Sequence, residues 1–133
     1  MRLCACLGVT LDIIEPCGFL LTDRNFRRAG MDYRGEVVRH ESWQAFRPRL
    51  PGRLVLLTTR AVLPYTEFAF EASDTVMVGR ESAGVPDAVH DAADAQLLIP
   101  MQAGMRSLNV AQAAAMVLGE ALRQTRLFPG STP

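Results

Sequence analysis

The stretch Ala95-Gln96-Leu97-Leu98-Ile99-Pro100-Met101, followed by Arg106-Ser107-Leu108-Asn109 and the small-residue run Val110–Gln124, decides the fold. An unbroken apolar run that stops at a proline reads as a strand buried on both faces. A short polar loop follows. Ser107 and Asn109 then stand at the mouth of a helix running from about Leu108 to Arg126. Both are preferred N-cap residues. A loop opening onto a helix amino terminus also offers free backbone N–H groups to a small polar ligand. Cap and pocket wall are both open readings at this point.

Outward from that stretch the pattern repeats. Arg53–Thr58 and Asp74–Gly79 read as buried strands, and Thr10–Ile14 and Glu36–Arg39 as shorter ones. Leu3–Leu7 reads as the tail of a helix stopped by Gly8, and Asp23–Ala29 as a short basic helix with Asp23 as N-cap and Gly30 as its stop. Ser42–Phe46 reads as the start of another helix, with Ser42 as N-cap, Trp43 and Phe46 three apart, and Pro48 ending it. Arg60–Pro64 reads as a loop, and Gly84-Val85-Pro86 breaks the chain. Short buried strands alternating with helices predict an α/β fold, a parallel sheet flanked by helices. Such sheets bind ligands beyond the carboxyl ends of their strands. The loops leaving those ends are Thr58–Pro64, Gly79–Pro86 and Pro100–Asn109. The chain has no GxGxxG run after a strand and no phosphate-binding P-loop.

A length of 133 residues suits one domain with one core. No run of about 18 apolar residues is present, so no membrane span is expected. Met1–Leu7 is short for a signal peptide, and the expected location is cytoplasmic. Cys4, Cys6 and Cys17 lack the His and Cys partners of a four-ligand metal site, and buried free thiols are expected. The formal net charge is zero but unevenly spread. Residues 1–60 hold ten Arg and six acids, a balance of +4, and residues 61–133 hold four Arg and eight acids, a balance of −4. All 14 basic residues are Arg, a side chain whose planar fork suits phosphate.

Gly79-Arg80-Glu81-Ser82-Ala83-Gly84-Val85-Pro86 reads either as an ordinary turn with solvated charges or as a loop whose first glycine lets backbone approach a ligand. Asp23–Gly30, with Arg24, Arg27 and Arg28, is either a solvated face or a phosphate-contacting patch. The small residues of the terminal helix suit core packing or a dimer interface.

Arg2-Leu3-Cys4-Ala5, Ile13-Ile14-Glu15-Pro16, Arg27-Arg28-Ala29-Gly30-Met31-Asp32-Tyr33, Leu57-Thr58-Thr59, Gly79–Pro86 and the opening stretch occur in one order that resembles the SPOUT class of RNA methyltransferases. Within that class the chain is most similar to the small tRNA (cytidine/uridine) 2′-O-methyltransferases that act on the wobble nucleotide. The resemblance spans nearly the whole chain, and its three longer motifs are specific. It implies a SPOUT fold whose C-terminal part forms a deep trefoil knot around S-adenosylmethionine. It implies cofactor contacts from Leu57, Gly79, Ile99, Met101 and Ser107, a homodimer, and tRNA as partner, with no membrane and no metal. It assigns catalysis and positioning to Arg2, Glu81, Ser107 and Asn109, and RNA contact to Arg24, Arg27 and Arg28.

The chain also departs from that pattern. Relatives carry a strand and a Pro-x-Asn-x-Gly-Asn loop ahead of the arginine matched by Arg2, so residues 1–133 are expected to be an N-terminally shortened single domain. Gly119 stands where relatives often have Tyr, and Arg60-Ala61 where they usually have Lys-Gly. These departures make a cofactor- or RNA-binding remnant of impaired activity the alternative expectation.

Overall fold

A computed structural model describes residues 2–14, 37–79, 85–105 and 108–130, with the side chain of Arg2 outside that set. The elements are α1 (Arg2–Leu7), β1 (Leu11–Ile14), β2 (Val37–His40), α2 (Trp43–Phe46) continued by a 3₁₀ turn (Arg47–Arg49), β3 (Leu54–Leu57), β4 (Leu63–Pro64), a 3₁₀ turn (Tyr65–Glu67), β5 (Thr75–Met77), α3 (Asp87–Ala92), β6 (Ala95–Leu98) and α4 (Val110–Thr125). They fall into two compact units that divide at Arg49–Leu50. The helix expected over Asp23–Ala29, Cys17 and the turn from Glu15 to Gly18 lie outside the described residues.

In the first unit β1 and β2 pair in parallel, Leu11 with Val37 through Ile14 with His40. α1 closes as the sequence demands. Gly8 takes φ +67°, its N–H bonds the Ala5 carbonyl at 3.3 Å, and the Val9 N–H bonds the Cys4 carbonyl at 2.9 Å. Such a close needs a left-handed residue, which glycine adopts without a Cβ clash. The expectation of buried thiols is corrected here: Cys4 is half-buried and Cys6 exposed, both free. Residues two apart on a helix lie nearly opposite each other, so a single-sided helix cannot bury both. Burial raises the Cys4 thiol pKa, and the nearby N-terminal charge only partly offsets it. Ser42 caps α2 through an Oγ that accepts from the Ala45 N–H at 3.2 Å. Pro48 does not end the winding. The α-helix stops at Phe46 and the chain turns once more as 3₁₀ through Pro48, whose fixed φ suits such a turn.

The second unit holds a sheet of order β4-β6-β3-β5, parallel throughout. Leu54, Val55 and Leu56 are buried, as the apolar run predicts. β5 is partly buried along its length rather than fully, because it is the edge of this sheet. Two further corrections concern short elements. The expected loop Arg60–Pro64 ends in β4, which pairs Leu63 with Leu97 and Pro64 with Leu98. A two-residue strand carries no period to read, and proline is admissible there because β4 lies at the sheet edge. α3 was not legible either, although Pro86 immediately before Asp87 is a helix-start signal and Val89 is its one buried residue. α4 lays Val117, Ala113 and Ala121 on a core of Val55, Phe70, Leu97 and Ile99.

Candidate functional site

β3, β5 and β6 run in one direction and end at Leu57, Met77 and Leu98. The register levels those ends. Leu56 pairs with Met77 and Leu57 with Leu97, and the Thr58 N–H donates to the Leu97 carbonyl at 2.9 Å. Gly79 lies two residues beyond Met77, and Ile99 two beyond Leu97. Three of the expected cofactor residues, Leu57, Gly79 and Ile99, therefore stand at or just beyond the carboxyl ends of adjacent strands, the end where such sheets bind ligands. Ile99 is buried in the core cluster and Leu57 packs against it. Met101, the fourth, is exposed on the loop after β6. That loop reverses at Gln102–Met105, with the Met105 N–H on the Gln102 carbonyl at 3.1 Å and Gly104 at φ +88°.

Asn109 brings the loop back to α4. Its Oδ1 accepts from the Ala111 N–H at 2.9 Å and the Gln112 N–H at 3.3 Å. Between the two open readings of the sequence, the cap is realised, and by Asn109. The consequence for chemistry is specific. The carbonyl oxygen is committed to the helix, and only the Nδ2 amide can donate outward. Glu81, Ser107, Arg24, Arg27 and Arg28 lie outside the described residues, and Arg2 is described only as the first residue of α1.

The opposite end of this sheet is a polar clasp that no sequence motif marks. Arg53 grips Asp74 with two bonds, Nε to Oδ1 at 2.8 Å and an η-nitrogen to Oδ2 at 2.7 Å. It also donates to the Ala69 carbonyl at 3.0 Å and lies 4.8 Å above the Phe68 ring. Burial alone would raise the Asp74 pKa. The Arg53 hydrogen bond, the Glu71 N–H and the Arg53 charge outweigh it and hold the carboxyl below its usual range. From α4, Gln124 accepts from the Phe70 N–H at 2.8 Å and donates to the Phe68 carbonyl at 2.9 Å. Asp94 accepts from the Leu54 N–H at 2.7 Å. Opposite charges at Arg53 and Asp74, 21 residues apart, give no local signal of this pairing.

A cavity of about 320 Å³ lies elsewhere, lined by Arg60–Val62 and Ala93–Gln96, none of them a candidate residue. It sits beside β6 before β4 begins to pair, so it is a gap in strand pairing rather than a site at the strand ends. Among the described residues no group of His, Cys, Asp and Glu could hold a metal ion. The histidines are engaged structurally. His40 Nε2 meets Asp12 Oδ1 at 2.9 Å with its ring edge-on to Phe46. His90 Nδ1 faces Gln96 Nε2 at 3.2 Å. No described helix is long and apolar enough to cross a membrane.

Comparison with known proteins agrees with this geometry. Residues 1–119 match the model of the SpoU rRNA Methylase family. The tRNA (cytidine(34)-2′-O)-methyltransferase of Beijerinckia indica subsp. indica is 61% identical over 129 residues, covering 93% of this chain and 81% of that protein. A solved structure described as giving insights into 2-OH methylation of C/U34 on tRNA superposes with a TM-score of 0.85 at 37% identity, over 92% of this chain and 83% of that one. The SpoU methyltransferase AviRb of Streptomyces viridochromogenes, solved in complex with AdoMet, superposes at 0.76 and 27% identity over 92% and 53%.

Proposed function

Because the chain belongs to the SpoU rRNA Methylase family, we propose that it methylates the ribose 2′-oxygen of the wobble nucleotide, cytidine or uridine 34, of tRNA, with S-adenosylmethionine as cofactor. The observation that carries this reading is the levelling of Leu57, Gly79 and Ile99 at the carboxyl ends of three adjacent parallel strands, with the capped start of α4 closing the loop beyond them.

These residues fit the cofactor. Leu57 and Ile99, whose side chains are held by the core, would meet the cofactor largely through backbone groups, and Gly79 places no side chain between its backbone and a ligand. Met101 and Ser107 would complete the pocket from the last loop. S-adenosylmethionine supplies an electrophilic sulfonium methyl, so the reaction needs no metal. What remains for the protein is alignment and a proton. Holding the 2′-hydroxyl in line is worth roughly 7–11 kcal/mol of barrier. Asn109 contributes a donor through Nδ2 while its Oδ1 stays on the helix. Glu81 and Ser107 are assigned to positioning of RNA and cofactor. Arg2 is assigned to orienting a phosphate beside the target ribose and, through that phosphate, to assisting removal of the hydroxyl proton; a guanidinium that stays protonated is a poor base by itself. Arg24, Arg27 and Arg28 are assigned to the RNA backbone.

The reading extends to a knotted C-terminal part, a homodimer and a cytoplasmic setting, where tRNA is the substrate. Support for the knot is that residues 58–62 join two strands lying on either side of β6. Support for the dimer is the exposure of Met116 on a terminal helix otherwise rich in small residues, and of Leu108 just before it.

The test is transfer of labelled methyl to tRNA from a strain lacking the wobble modification, followed by nucleoside mass spectrometry. A 2′-O-methylated nucleoside at position 34 is expected. A folded chain that binds S-adenosylmethionine in a calorimeter but leaves every such tRNA unmethylated would establish the remnant instead.

A further inference from the structure

The arginines of the described residues divide sharply by what they hold. Arg53, Arg60 and Arg123 each meet a carboxylate, and Arg39 is engaged within the fold. Arg47 and Arg49 have no such partner among the described residues, and neither does Arg126 in the other unit. Arg47 and Arg49 flank Pro48 in the 3₁₀ turn, and the segment from residue 37 to 49 carries three arginines against one acid, Glu41.

The local backbone gives these charges a companion. The Arg47 N–H bonds the Trp43 carbonyl, so Arg47 stands one helical turn above Trp43 on the same face. Phe46, between them, turns inward and packs against the His40 ring at 4.7 Å. Trp43 is partly exposed, with its ring tilted at 44° and 6.1 Å from Phe46. A partly exposed indole one turn before Arg47, with two guanidinium groups that meet no carboxylate among the described residues on a proline-fixed turn, is suited to unpaired RNA: the forks take phosphates and the indole takes a base face. An acidic protein surface would use the charges but has no comparable need of the indole.

We propose that Trp43, Arg47 and Arg49 form a docking platform for the single-stranded loop of the RNA substrate, Arg47 and Arg49 on backbone phosphates and Trp43 on an unpaired base. This rests on the tRNA reading above.

The test uses the whole chain as wild type, as the Arg47→Gln/Arg49→Gln double variant, as Trp43→Phe and as Trp43→Ala. Each is measured for binding of undermodified tRNA over a salt series, with calorimetry of S-adenosylmethionine and thermal melting alongside. The double variant is expected to bind tRNA about tenfold more weakly at low salt, with a log–log salt slope smaller by about 1.4–1.8, or about 0.7–0.9 for each phosphate left without its arginine. Trp43→Phe should bind as wild type, and Trp43→Ala at least about fivefold more weakly. Cofactor affinity should not change in any variant, and melting should not change in the double variant or in Trp43→Phe. A folded double variant with unchanged tRNA affinity and salt slope overturns the platform while leaving the activity standing. A wild-type chain that binds no tRNA overturns both.

Discussion

At the amino ends of β3 and β5, polar groups answer one another: Arg53 holds Asp74 and the Ala69 carbonyl, Asp94 holds the Leu54 N–H, and Gln124 holds both Phe68 and Phe70. At the carboxyl ends of β5 and β6 the chain leaves through loops carrying Gly79, Gly104 and Asn109, and with its Oδ1 on the helix Asn109 has only its amide N–H groups to offer. One end closes on itself and the other is left to meet something else. Groups that satisfy each other stabilise, whereas groups that serve a ligand are kept available and contribute less to folding. Substitutions at the first end should therefore move the melting temperature, and those at the second end should move activity.

The sharpest break is Arg53→Ala. It strands a carboxylate whose side chain is only 3% exposed, and about 3 kcal/mol of stability should be lost, the low end for a broken buried pair because a third of Arg53 reaches solvent. Chemical denaturation measures it, and cofactor affinity below the transition should be unchanged. Gly52→Ala comes next. A Cβ there would lie 2.5 Å from the Ser73 backbone oxygen, and the forced shift should cost about 2 kcal/mol in the same assay. Gln124→Leu leaves the Phe70 N–H and Phe68 carbonyl without their partner, and about 1.5 kcal/mol is expected, with hydrogen exchange rising first at Phe70. At the other end, Asn109→Ala should cost only about 1 kcal/mol of stability. Asn109→Asp keeps the capping oxygen and removes the donor, so it should melt like wild type yet transfer methyl at least about tenfold more slowly. Full activity in Asn109→Asp would break the contrast between the two ends.

The smallest effect is in acid. Arg53 holds Asp74 below the ordinary aspartate value of about 4, and Arg123 and Gln124 bring Glu120 down to about 2. Each carboxylate contributes stability that is fully present above its unfolded value and is lost as pH falls through its folded value. Melting temperature should hold steady above about pH 5 and decline steadily below about pH 4, and Arg53→Ala should flatten that decline.

Much of the architecture was legible because its signals are local. Apolar runs at 54–57 and 95–98, the caps at Ser42 and Asn109, and the stop at Gly8 all fall where the chain uses them. β4 and α3 escaped because each is too short to repeat a period. The thiols at Cys4 and Cys6 were misjudged because burial is a property of neighbours, and a six-residue helix covered on one side cannot hide both. Arg53, Asp74 and Gln124 were passed over because their pairing spans 21 residues in one case and more than 50 in the other.

The sequence by itself determined the class of fold, the strand ends that carry the candidate site, and the family, since hydrophobic period, cap chemistry and motif order are written residue by residue. Tertiary structure alone decided which of two polar residues caps α4, that the Oδ1 of Asn109 is spoken for while its amide nitrogen is not, and which arginines meet a carboxylate among the described residues. Those outcomes depend on which groups come within hydrogen-bond distance, and that distance is set by the packed backbone rather than by spacing along the chain.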